Sequence, residues 1–133
     1  MNRYSRYAVI AGRILMSAVF VVNGIGIADQ KVAAKELADL GLSAALVSLL
    51  MFGARSLETV AGLALALGIF PKWAALGLLI FLIPATFIGH SFWRLAGTPG
   101  FQGQMVNFFK NIAIMGGLLF TMGASRDRRG TKQ

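Results

Sequence analysis

The sequence predicts an all-α integral membrane protein, a four-helix bundle with a short amphipathic surface helix between its first and second spans. Three observations predict it. The 133 residues are 56% hydrophobic and 14% charged, with a mean hydropathy of +0.69. A water-soluble chain of this size leaves about a third of its unfolded surface exposed, too much for so few polar side chains to cover, so the bilayer must solvate the rest. Four apolar runs each reach the roughly 20 residues that cross about 30 Å of hydrocarbon at 1.5 Å per residue, and the segments between them carry turn formers and charges. The whole of 1–133 reads as one domain.

The first span covers 7–28. A signal peptide is the competing reading, because Arg3 and Arg6 precede an apolar run, but Arg13 interrupts that run and no small-x-small cleavage site follows before Asp29. Residues 29–42 alternate Lys31, Lys35, Glu36 and Asp39 with Val32, Leu37 and Leu40 up to Gly41, the pattern of a short amphipathic helix lying on the membrane surface. The second span covers 43–69 and the third 72–93. Gly68 ends the one and Pro71 opens the other, which makes the pair an antiparallel hairpin. Pro84 predicts a kink in the third span, because it frees the carbonyl of Ile80. Residues 94–104, with Gly97-Thr98-Pro99-Gly100, read as a polar loop before the fourth span, 105–124. A charged tail begins at Ser125.

Thirteen Lys and Arg against five Asp and Glu give a net charge of +8, yet the bases form no stripe interleaved with aromatics, so nucleic acid is excluded as a partner. Zero cysteines exclude disulfides, Cys-ligated zinc and iron–sulfur ligation. With both termini in the cytoplasm, Arg3, Arg6, Lys72, Arg126, Arg128, Arg129 and Lys132 lie inside and only Lys31, Lys35 and Arg94 outside, which favours that orientation. The glycines at 62, 68, 77, 116 and 117 are expected to let helices approach closely.

Charges in hydrocarbon cost at least about 2.5–3.5 kcal/mol each, so polar residues within the spans are the first candidates for function. Arg55 and Glu58 are three apart on the second span, spaced for a local ion pair. Asn107, Lys110 and Asn111 form a stripe on the fourth span that is expected to face the bundle. His90 follows Thr86 by one turn. With Asn23, these residues are expected to converge at one level of the outer half as a ligand-binding cluster: Arg55, Glu58, His90, Asn107, Lys110, Asn111 and Asn23. Arg13 lies in the inner half, either snorkelling to headgroups or turning inward to Glu58. Arg13, Arg55 and Lys110 against Glu58 leave the spans a net +2, which lipid phosphates, a quinone carbonyl, an oxyanion or a partner's acidic group would satisfy. His90 as a haem ligand has only Met105 nearby as a second axial ligand, and no metal site is expected. A neutral imidazole donating to a quinone fits better, and an interfacial anchor is the plainer reading.

The same residues resemble the DoxX family. The resemblance runs through Gly12-Arg13-Ile14-Leu15, Phe20 and Asn23-Gly24 on the first span. It continues with Glu58, Ala61-Gly62-Leu63-Ala64-Leu65 and Gly68 on the second. Phe87-Ile88-Gly89-His90-Ser91-Phe92-Trp93 carries it on the third, and Asn107-Phe108-Phe109-Lys110-Asn111 with Gly116-Gly117 on the fourth. It departs where the family often has a lysine just after the span-one glycines; here Ile27, Ala28 and Asp29 follow. The resemblance implies a four-helix bundle in the bacterial inner membrane. The polar residues themselves suggest an accessory membrane subunit of an oxidoreductase system, with no redox centre of its own and a quinone-facing pocket in the outer leaflet. A non-catalytic scaffolding or assembly protein, and a binder or transporter of a small anion or lipid acting as a homo-oligomer, are the other readings. The residues point to an accessory rather than an enzyme.

Overall fold

A computed structural model describes residues 3–125, so Arg126, Arg128, Arg129 and Lys132 of the expected orientation count lie outside the described residues. The chain forms helices α1 (Arg3–Gly24), α2 (Lys31–Asp39), α3 (Ala44–Leu67), α4 (Pro71–Gly89) and α5 (Gly100–Ala124), with a short 3-10 turn at Phe92–Leu95. Four of them are long and apolar enough to cross a membrane: α1, α3, α4 together with that turn, and α5.

Local chemistry sets the helix ends. Ser43 caps α3 by accepting a hydrogen bond from the Leu46 amide at 3.3 Å. Gly68 closes α3 in the left-handed region at φ 74°, and Pro71 occupies the first turn of α4, so the hairpin turn expected at 68–72 forms as the sequence predicts. α1 begins at Arg3 rather than 7, and three further boundaries differ from expectation. α1 stops at Gly24 instead of 28, because Gly26 turns the chain at φ 83°. α4 ends at Gly89, with His90 and Phe92–Leu95 beyond the regular helix. α5 begins at Gly100 and takes in residues expected to be loop, because Pro99, already helical at φ −60° and ψ −23°, pre-sets its first turn. α4 runs unbroken through Pro84.

α1 packs chiefly on α3, α3 on α4 and α4 on α5, while α1 meets α5 only locally. The interior is filled by Phe20, Ala61, Leu65, Ala74, Ala75, Leu78, Leu82 and Leu118. Large side chains cover the outside, with Leu15 76% and Phe52 73% exposed, the distribution of a protein whose solvent is hydrocarbon. α2 packs across α3 and α4 at one end of the bundle.

Candidate functional site

Offsets of three, four and seven put Arg55, Glu58, Thr59 and Gly62 on the α3 face that meets α1. Small residues bring the two backbones together. A Cβ added at Gly24 would fall 2.6 Å from the Thr59 amide nitrogen and 2.8 Å from the Arg55 carbonyl oxygen, and one at Gly62 would fall 3.0 Å from Val21 Cγ2. At that separation Asn23 Nδ2 donates to Glu58 Oε1 at 3.3 Å, and Glu58 is buried. Arg55 Nε donates to the Gly24 carbonyl at 3.3 Å, satisfying an acceptor at the end of α1. The expected Arg55–Glu58 ion pair does not form: among the described residues the ion pair within 4 Å is Lys35–Asp39. Each member of the expected pair is engaged by α1 instead.

A second node joins α4 to α5. Thr86, fully buried, donates from Oγ1 to the Leu82 carbonyl at 2.6 Å and accepts from Asn111 Nδ2 at 3.1 Å. One turn on, His90 Nδ1 lies 2.7 Å from Gln104 Oε1. A carbonyl oxygen only accepts, so Nδ1 is the donor. α2 reaches this end through Glu36, whose Oε2 is 3.2 Å from where a Cβ on Gly89 would stand. Partial burial there raises the Glu36 carboxyl above its usual range, with attraction to His90 pulling the other way. Around the node Phe87, Phe92, Trp93, Phe101, Phe108 and Phe109 form a run of edge-to-face and tilted ring contacts.

The seven expected residues therefore do not make one cluster. Asn23, Arg55 and Glu58 meet at the α1–α3 contact, Asn111 bonds to α4, and His90 bonds to α5. Lys110 is exposed, contrary to the expectation that its stripe faces the bundle, and Asn107 is half-buried. The reason is the helical period: Lys110 sits 100° round α5 from Asn111. Among the described residues Arg13 makes no ion pair with Glu58. Its guanidinium lies over Gly68, with the terminal nitrogens 2.5 and 2.9 Å from the position of an added Cβ, at the negative end of the α3 dipole. Gly77 and Gly117 receive neighbouring side chains, Leu57 and Met16, whereas Gly116, expected at a close contact, faces open space.

Three contributors were missed. Gln104 falls within the polar loop expected at 94–104, although it shares the offsets of three and four that link Asn107 and Asn111. Glu36 belongs to the expected amphipathic surface helix, whose pattern does not mark it as a neighbour of Gly89. Gln30, which donates from Nε2 to the Asn23 carbonyl at 2.9 Å, carries no sequence signal of that role. It helps shape a groove of about 590 Å³ between the 26–31 segment and α3.

A protein-family model described as DoxX matches residues 8–91, from α1 into the turn after α4, and stops short of the motif at 107–111. Neither a search of curated proteins nor one of solved structures finds a match.

Proposed function

The chain belongs to the DoxX family, and from that premise we propose that it is an accessory subunit of an oxidoreductase system in the bacterial inner membrane, with both termini cytoplasmic. It supplies helices and a docking face, and the electron-transfer groups belong to its partner. The observation that carries this reading is Lys110. Arg55, Glu58, Asn23, His90 and Asn111 each bond to a neighbouring helix, whereas Lys110 stands exposed on α5, roughly 15 Å along the axis from Gly100 at 1.5 Å per residue. An ammonium at that depth needs an acceptor, and a carboxylate or carbonyl at a subunit boundary supplies one. On this reading a quinone headgroup of the system sits at the same boundary, within reach of Asn107 and Lys110 and beside the rings of Phe108 and Phe109.

The test is native gel electrophoresis of membranes solubilised in mild detergent, with an in-gel stain for quinone-linked dehydrogenase activity. The wild-type chain is expected in an active assembly much larger than itself. Lys110→Gln is expected to release it as a folded free subunit. Migration of the wild type without any redox activity overturns the reading.

A scaffolding role without a redox partner is the second reading, and the interior bonds favour it, since each joins two helices as a structural tie does. The two readings part on whether the co-migrating proteins oxidise or reduce anything.

A further inference from the structure

We propose that the groove between the 26–31 segment and α3 is a binding site for the phosphate of an anionic phospholipid, with Arg55 as its principal ligand and Lys31 as its second cation. The site is independent of the redox reading and lies on a different face from Lys110.

The groove is pre-formed. Ile25, Gly26 and Ile27 amides donate to the carbonyls of Val21, Asn23 and Val22 at 3.0–3.1 Å, and Gln30 Nε2 ties the same segment to the Asn23 carbonyl. On the other wall, Val47, Ser48, Met51 and Arg55 recur along one face of α3. Gly26 sets the position of the guanidinium: a Cβ there would overlap a terminal nitrogen of Arg55. Nε is committed to the Gly24 carbonyl, so Arg55 is oriented by the protein while the planar fork of its terminal nitrogens remains at the groove, the geometry that takes an oxyanion by two parallel hydrogen bonds.

Charge selects the ligand. Of the residues that line the groove, Arg55 and Lys31 are the cations and Asp29 the one carboxylate, its Oδ1 accepting from the Lys31 amide at 2.9 Å. No carboxylate lies within 4 Å of the guanidinium among the described residues. Glu58, three residues along α3, attracts Arg55 at longer range but bonds to Asn23, and the Lys35–Asp39 pair closes on itself. The groove thus has cations to spare, which a neutral quinone ring does not use and a phosphate does. The apolar walls select the source. Val47 and Met51 line the groove along with Arg55, an apolar wall that suits the acyl-chain carrier of a phosphate better than the free ion.

The experiment uses the full chain, stripped of lipid in a neutral detergent and titrated with short-chain phosphatidylglycerol, with retained lipid read by native mass spectrometry. Binding is expected to weaken by about tenfold or more in Arg55→Gln, the scale of one good charge-assisted contact, and by a smaller factor in Lys31→Gln. Gly26→Ala keeps every charge and displaces the guanidinium, so it is expected to weaken binding as well. Lys72→Gln, at the opposite end of the bundle, is expected to bind as the wild type does. Phosphatidylcholine of the same chain length is expected to bind less tightly, because its ammonium meets Lys31. Equal retention by wild type and Arg55→Gln overturns the proposal. So does displacement of the lipid by millimolar inorganic phosphate, which would make the ligand a soluble anion, or by a ubiquinone analogue, which would make the groove a quinone site. Helical content by circular dichroism confirms that each variant is folded.

Discussion

Asn23 of α1 and Glu58 of α3 are joined from Nδ2 to Oε1 at 3.3 Å, inside a contact so close that Gly24 has no room for a methyl group. The bond ties the first span to the rest of the bundle.

Asn23→Ala removes the donor and leaves a buried carboxyl with no partner from α1. The expected loss is about 0.6 kcal/mol and no more than about 1.7 kcal/mol, the mean and maximum measured for hydrogen bonds between membrane helices. Glu58→Gln keeps an acceptor oxygen and is expected to cost less. A double-mutant cycle with Glu58→Ala, read by reversible unfolding in mixed micelles, checks the pair: a coupling indistinguishable from zero would show that the bond contributes nothing.

Gly24→Ala pushes a methyl group against two backbone atoms of α3, at 2.6 and 2.8 Å, and backbone cannot swing aside as a side chain does. A loss of about 1–3 kcal/mol is expected, the cost of overpacking. Gly116→Ala is the internal contrast. Nothing lies within 4 Å of its added carbon, and alanine favours a helix over glycine by about 1 kcal/mol, so that variant is expected to be as stable as the wild type or more so. Thermal melting of both in one detergent decides the point.

Gly68→Ala must hold a left-handed backbone, at about 1–2 kcal/mol, and also displaces the Arg13 guanidinium. Combined with Arg13→Gln, the penalty is expected to be less than the sum of the two, because the collision is removed in advance. Strict additivity of the two melting shifts would mean that the residues do not touch.

Stability is expected to respond to pH through Glu36. Its carboxyl titrates above the usual range because the folded state desolvates it. The folded state then holds the proton more tightly than the unfolded state, so stability is gained as pH falls through that raised pKa and lost as pH rises past it. The effect is small, since the group is only partly buried. The wild type should lose slightly more stability than Glu36→Gln between pH 4 and pH 7. An identical pH profile for the two proteins would remove Glu36 from the account.

The spans were legible because hydropathy and length are averages over many residues, and the hairpin at Gly68 and Pro71 because its residues each have one conformational use. The site was legible only as a set of residues. Lys110 and Asn111 are adjacent in sequence yet 100° apart on the helix, so an offset of three from Asn107 did not decide which one faces α4. Arg55 and Glu58 share a face of α3, but α1 offered each a partner, and pairing between helices is not written in the spacing along one of them. Gly24 carried the clearest missed signal: a glycine next to a polar residue within an apolar span, where a neighbouring backbone comes close.

Met16 reaches Gly117 where the first and last spans touch, and elsewhere that seam is sparse. The molecule is therefore a strip of four rods curled until its edges brush, and Leu65, Leu78 and Leu118, with no surface left exposed, plug the hollow that a tube would have kept. A conduit for any solute would have to borrow its second wall from another polypeptide.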